Sequence, residues 1–439
     1  FIPSGPPRVT STIIHRLIAQ GFYVNSAGFP AVPMKKGGIR FAVTHHHSLE
    51  MIDKLLTTMA REYLLGLEEE GSSTKAVARN FRIDPIQISL PTVRAKPQSE
   101  PVTRLHRLRT KVYRSIKEIS PQVWNEHFSK RGSLRHHNLL ELESIFSGNS
   151  QPENNWSFYY YTVMDEDKKI VLISLFTSAM VKDDMLAPAD VSRKVMPLRE
   201  EDPYFLTSRS IVSGTLFTKG ESVVVDYDHP DWKAAVRLLV GEMEKVAEQE
   251  QASSLLIREF NAGQKEQLRD FMLELGLVEH RLLDNYTVES LSWKDHGEYL
   301  ASLGQRYRYS LRKECLRLAD KFRVETGKPT SPAERRTCYE LYRNVHRKAL
   351  EISVFELPFE LFEMMHDEEG YDIIRLYLHE RPEEPVAVMY SYLNDGVYNA
   401  MLVGLDYQYA HEVNAYKQIL YRTVLRAREL GCESIDLAY

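Results

Sequence analysis

The sequence is short of cysteine, of net positive charge and of long apolar runs, and each shortage removes a class of protein. Its three cysteines, Cys315, Cys338 and Cys432, are odd in number, far apart and without any CxxC pair. That argues against a disulfide framework and a zinc site, and for a reducing, cytoplasmic compartment. A formal net charge of -5 gives no electrostatic case for a nucleic-acid partner. No apolar stretch approaches the roughly 18 to 20 residues that cross a membrane as a helix. Three adjacent histidines in THHHS alternate faces along a strand, so no metal site is expected there. The chain opens on Phe1 rather than Met, FIPSGPP is neither a signal nor a transit peptide, and Tyr439 follows directly on a strand, so both ends look cut. What is present, 43% hydrophobic and 27% charged residues over 439 positions, predicts a soluble protein of two to four domains.

The most patterned stretch runs from Asn394 to Tyr439. It predicts a strand (Val397 to Leu405), a polar loop (Asp406 to Ala410), a long helix and a second strand (Glu433 to Leu437). The helix carries Val413, Tyr416, Ile419, Leu420, Val424 and Ala427 on one face, and Gly431 falls where a left-handed C-cap belongs. Strand, loop and helix N-terminus form a recipe for binding an anion such as a pyrophosphate, because the first N–H groups of a helix lack partners. The unit occurs twice. Shifted by 180 residues without a gap, Val223 meets Val403, Asp226-Tyr227 meets Asp406-Tyr407, Ala247 meets Ala427 and Ser254 meets Ser434. The first copy continues into a helix (262–275) and a strand (281–289). The second copy stops short of both, so roughly 30 further residues are expected beyond Tyr439.

Residues 1–70 predict a small α/β unit: a helix from Thr10 closed by Gly21, strands at FYVN and IRFAVT, and a helix capped by Ser48. Residues 71–103 lose periodicity and predict a linker. In 104–291, Ser120 and Pro121 open a helix that buries Trp124, strands follow at WSFYYYTVMD and KKIVLISLFTSAM, and Leu186 to Pro203 is turn-rich. Residues 292–439 open on one basic helix, with Arg306, Arg308, Arg312, Lys313 and Arg317 interleaved with apolar Tyr309, Leu311 and Leu318. Helices and three antiparallel strands then lead into the second copy of the repeat.

GFPAVPMKKGGIRFAVTHHHSLEMIDKLL resembles the C-terminal small domain of the α-oxoamine synthases, pyridoxal-phosphate enzymes that condense an amino acid with an acyl-CoA. Pro30, Ala31, Val32 and Pro33 fall on the family's turn and His47 on its histidine. Arg40 falls on the arginine that holds the amino-acid carboxylate, a task that suits a guanidinium fork. Gly38 departs from the family, which has an arginine there. The aldimine lysine is absent from this sequence, so the resemblance implies pyridoxal phosphate, and a homodimer, only for a complete parent protein.

The order of elements after residue 104, with EYLASLGQRYRYSLRKECLRLADKF, resembles the GNAT superfamily of N-acyltransferases, and within it the Fem and peptidogalycan type that carries two such halves. The fold class implied is α/β (α+β): a fold-type-I small domain, then two tandem GNAT-like domains (104–291 and 292–439), the second incomplete. The resemblance implies acyl-CoA in the second half, with pantetheine against Leu402, Val403, Gly404 and Leu405 and pyrophosphate at Tyr409, Ala410, His411, Glu412 and Val413. The family's R/Q-x-x-G-x-G/A loop is missing; DYQYAHEVNA has no glycine. Tyr390, Tyr398, His411 and Tyr416 are candidate proton carriers for attack of an amine on a thioester. Arg306, Arg308 and Arg312 are candidates for binding an acidic substrate. The expected function is N-acylation of an amine, such as an α-amino ketone, in sphingolipid-like biosynthesis, with peripheral membrane contact. The alternatives are a non-catalytic binding or dimerising module and Fem-like aminoacyl transfer.

Overall fold

The computed structural model describes the chain apart from residues 28–31, 34, 42–46, 82–107, 261–267, 270, 280–285 and 438–439. Two compact units result, Phe1–Thr103 and Arg104–Tyr439.

In the first unit β1 (Ile2–Gly5), β2 (Asn25–Ala27) and β3 (Gly37–Arg40) form an antiparallel sheet in the order β1-β3-β2. The helices α1 (Pro7–Ala19) and α2 (Leu49–Glu69) pack beside it, and Val9, Ile13, Leu17, Ile39, Met59 and Leu67 form the core. Arg16 ties the two helices by pairing with Glu62 and Glu69, each at 3.0 Å. As predicted, the Ser48 hydroxyl caps α2, accepting from Met51 N at 3.2 Å. A further helix, α3 (Thr74–Phe81), stands where the sequence predicted linker, and the FYVN strand begins only at Asn25. A side chain does not fit at Gly38: its Cβ would lie 2.3 Å from the Phe1 ring and 2.5 Å from Ile2 O. The arginine of the synthase pattern therefore has no room at that position. The turn residues Pro30 and Ala31 and the histidines His45 and His46 lie outside the described residues.

The second unit contains two mixed sheets. One joins β4 (Arg109–Tyr113), β5 (Ser157–Met164), β6 (Ile170–Lys182), β7 (Thr207–Ser213) and β9 (Ser254–Leu256) in that order, with β8 (Val223–Val225) also on β6. The other runs β10 (Thr287–Val288), β15 (Ser434–Asp436), β14 (Val397–Leu405), β13 (Ala387–Asn394), β12 (Tyr371–Leu378), β11 (Phe322–Thr326). In each sheet one neighbouring pair is parallel, β7 with β9 and β14 with β15, and the crossover between its members contains one long helix. Those helices are α7 (Trp232–Gln249) and α13 (Ala415–Glu429). Preceding them in chain order are α4 (Pro121–Phe128), α5 (His136–Ile145) and α6 (Ala189–Glu201), then α8 (His296–Ser302), α9 (Gln305–Glu314), α10 (Pro332–Lys348), α11 (Phe359–Asp367) and α12 (Tyr407–Glu412).

The 180-residue shift is reproduced in space: β9 and β15 correspond residue for residue, and α7 and α13 end at equivalent positions. The shared Asp-Tyr also has a physical cause. Asp226 Oδ1 accepts from Asp228 N at 3.2 Å and Asp406 Oδ1 from Gln408 N at 3.0 Å, so each aspartate closes the turn after its strand. Strand β10, which follows the first repeat, pairs antiparallel with β15 and so completes the edge of the second sheet.

Three expectations change. The turn-rich span from Leu186 contains a helix, α6. The single basic helix is broken at Leu303 and Gly304 into α8 and α9, with a 3-10 turn after Cys315, and no residue of α9 is buried. The polar loop after Leu405 is itself the short helix α12. In its place the break before α13 falls at Val413 and Asn414, with Asn414 left-handed (φ 52°), a conformation asparagine tolerates.

Side chains of both halves share one core: Trp124, Phe128 and Ile173 pack in the same cluster as Leu341, Phe362 and Tyr390. Within it His366 has no solvent exposure at its side chain and its Nε2 faces the Tyr390 hydroxyl at 3.0 Å. Burial holds the His366 ring well below its ordinary value. The unfolded chain therefore takes up a proton before the folded one does. Stability should fall as the pH drops from the ordinary histidine value of 6.5 toward the lowered one. Melting temperatures followed across that window should show the slope in the wild type and a flatter profile in His366→Gln.

Candidate functional site

Two features of the second unit could hold a ligand. The first is the stretch of β14 around Met401. Among the described residues Val397, Tyr398 and Asn399 pair with β15, while β14 stays paired with β13 as far as Leu405. A bulge intervenes at Met401, because Tyr390 faces Leu402 while Ser391 faces Ala400. Residues 401–403 are half-buried. The first turn of α13 (Ala415, Tyr416, Lys417) follows α12, and Tyr416 is 45% exposed. Its neighbourhood is already partly filled. Asn414 Nδ2 donates to Glu314 O at 2.9 Å, Gln418 Nε2 donates to Cys315 O at 2.6 Å, and Lys417 pairs with the Glu314 carboxylate.

The second feature is a cavity of about 390 Å³ between the halves. It opens beyond the end of the β7–β9 pair, where Val212 and Leu256 line it, and the second half contributes Met401, Leu402 and the chain 352–357 between α10 and α11. The two halves differ here. At the position equivalent to the β14 bulge the first half has a nine-residue loop, 214–222, inserted between Ser213 and Val223, and part of this loop lines the cavity.

The predicted site residues separate into buried and exposed sets. Tyr390 and Tyr398 are fully buried. Tyr398 donates to Asp372 Oδ2 at 2.8 Å, and burial pushes both phenols above their ordinary value. Leu405 and Val413 are core residues. Gly404 packs against α10, where a Cβ would lie 2.6 Å from Tyr342 N. Leu402, Val403, Tyr409 and Ala410 are half-buried, and His411, Glu412 and Tyr416 are exposed beside the start of α13. Arg306 and Arg312 are exposed on α9, while Arg308 folds back to donate to Leu303 O at 2.9 Å. In the first unit Arg40 is exposed at the end of β3, opposite Asn25.

The sequence reading missed Glu314, Lys417, Lys182 and the 214–222 loop. None carries a motif; their importance comes from what the fold brings beside them. Cys338 and Cys315 are buried, and burial pushes their thiols up to about 12 and about 11, which disfavours the thiolate a nucleophile needs. Among the described residues no group of three or more His, Cys, Asp or Glu side chains could hold a metal, and no helix is long and apolar enough to cross a membrane.

Residues 305–438 match the family model described as an acetyltransferase (GNAT) domain. No curated protein matches the chain. Solved structures similar to it include L-PGS from Bacillus licheniformis, at 14% identity and a TM-score of 0.40 over 67% of this chain and 74% of that one. FemX aligns at 12% identity and a TM-score of 0.46 over 75% and 88% of the respective chains. A tandem GNAT protein from the clavulanic acid biosynthesis pathway aligns at 10% identity and a TM-score of 0.43 over 76% and 90%. The comparisons give no support to the α-oxoamine synthase resemblance of residues 1–70. From the start of α9 to β15, the second half of the larger unit is thus similar to an acetyltransferase domain of the GNAT type.

Proposed function

We propose that the second half transfers an acyl group from an acyl-CoA thioester to an amine, with the donor seated beside the Met401 bulge of β14. The carrying observation is that bulge, followed by the long helix α13, inside the segment that matches the acetyltransferase model. Pantetheine runs along Leu402 and Val403, and the pyrophosphate meets the first N–H groups of α13 and the Lys417 ammonium. A neutral amine attacks the thioester carbonyl; the C–N bond forms, the C–S bond breaks and the amine proton passes to the departing thiolate. His411 and Tyr416, exposed at that end of the cleft, are the proton carriers in this reading. An α-amino ketone is the acceptor that the resemblance of residues 1–70 implies.

One observation favours a second reading, a binding module that uses no CoA: the Glu314 carboxylate already pairs with Lys417 at the pyrophosphate position. Calorimetry with acetyl-CoA separates the two. If Lys417 exchanges Glu314 for pyrophosphate, Glu314→Gln should tighten binding about 5- to 30-fold at moderate salt, since it removes a like charge a few ångströms from the anion. No binding by either protein would leave the binding-module reading.

A further inference from the structure

The cavity between the halves is walled mainly by apolar side chains, yet one of its cations lacks a carboxylate. Phe146 and Trp156 stack at its edge with ring centroids 3.5 Å apart, and Met180, Phe355, Met401 and Leu402 complete an adaptable apolar wall. The other charged side chains that line it have polar partners. Lys219 pairs with Asp436 at 3.2 Å, Arg258 with Glu259 at 2.8 Å and Glu356 with Arg343 at 2.8 Å, while Glu153 accepts from the Tyr204 hydroxyl at 3.0 Å. Lys182 has no such partner. Its Nζ donates to a single carbonyl, Val354 O, at 2.8 Å, and lies 5.2 Å from the centre of the Phe355 ring. An ammonium carries three donors, so two remain to be directed at a guest. Burial, helped by the nearby Arg199 guanidinium and opposed by the Asp184 and Glu153 carboxylates, lowers the Lys182 pKa, and a bound anion would relieve that cost of holding the charge.

We propose that this cavity binds an amphiphile, a flexible apolar chain with a carboxylate head, the head on Lys182 and the chain against Met180, Phe355, Met401 and Leu402. The volume falls within the range of roughly 300 to 1,000 Å³ usual for small-molecule sites, most of whose lining is apolar with a few polar anchors. The loop 214–222 is what gives the first half this wall, through Leu216 and Phe217. The cavity shares Leu402 with the acyl-CoA reading but the two are tested separately: carboxylate binding without CoA binding leaves the inference intact, and the reverse removes it alone.

The test is calorimetry of the full chain with dodecanoate, with dodecanol as the uncharged control. Dodecanoate should bind at one site and more tightly than dodecanol. Lys182→Met should weaken dodecanoate about 10- to 100-fold, the loss of one charge-assisted hydrogen bond, and leave dodecanol unchanged. Lys182→Arg, which keeps the charge, should retain most of the affinity. Leu216→Trp, which fills the cavity, should abolish binding of both ligands while the melting temperature holds. Absence of dodecanoate binding, equal affinity for dodecanol, or affinity unchanged in both Lys182→Met and Leu216→Trp would overturn the proposal. Should Lys182→Met fail to fold, Lys182→Arg and Leu216→Trp still decide it.

Discussion

Tyr416→Asp should weaken acetyl-CoA binding about 30- to 1000-fold, because a carboxylate a few ångströms from the pyrophosphate at an effective dielectric near 20 costs about 2 to 4 kcal/mol. The position is chosen so that the fold survives. Tyr416 is 45% exposed in the first turn of α13, and an acidic side chain there favours the helix dipole. The melting temperature should therefore hold or rise while the affinity falls. Lys233→Asp places the same charge at an exposed position in the first turn of α7 and should leave CoA binding nearly unchanged. Equal losses in the two variants would mean that the second half is not the donor site.

The largest effect on stability is expected at Asp372. Its carboxylate, on β12, accepts from Arg426 Nε at 3.1 Å, Arg426 Nη2 at 3.0 Å and the Tyr398 hydroxyl at 2.8 Å, tying α13 to the sheet and linking β14 to β12 across β13. Asp372 is 6% exposed and the Arg426 side chain 21%, so Asp372→Ala leaves a mostly buried guanidinium with only the exposed Glu429, at 3.5 Å, as a carboxylate partner. Breaking such a pair costs about 3 to 5 kcal/mol. Replacing both members, as in Asp372→Ala with Arg426→Met, should recover much of the loss, since no lone charge is left behind. Thermal unfolding of the single and double variants measures this directly. A double variant no more stable than Asp372→Ala would show that packing rather than charge sets the cost.

What could be read from the sequence was whatever repeats or alternates. The long apolar strands β5, β6, β12, β13 and β14 announce themselves by composition, and the gapless 180-residue register locates α7, α13, β9 and β15. The failures have local causes. Leu186 to Pro203 looked turn-rich because of its prolines, yet Pro188 precedes α6 and only Pro197 lies inside it. β7 was missed because its inserted loop separates it from β8, so the repeat register found only the second piece. Tyr390 and Tyr398 are hydroxyl carriers on strands, which makes them candidates by sequence. Whether a strand tyrosine faces a cleft or a core depends on which helix covers it, and that is a tertiary fact. The Glu314–Lys417 pair joins residues 103 positions apart and leaves no trace in either local pattern.

Amide hydrogen exchange with and without saturating acetyl-CoA tests the central claim most directly. Donor binding beside the β14 bulge predicts added protection over 401–403 and over the first turn of α13, with the corresponding first-half segments, 221–223 and the first turn of α7 (232–235), unchanged. Protection confined to the first half, or no change anywhere, would contradict it.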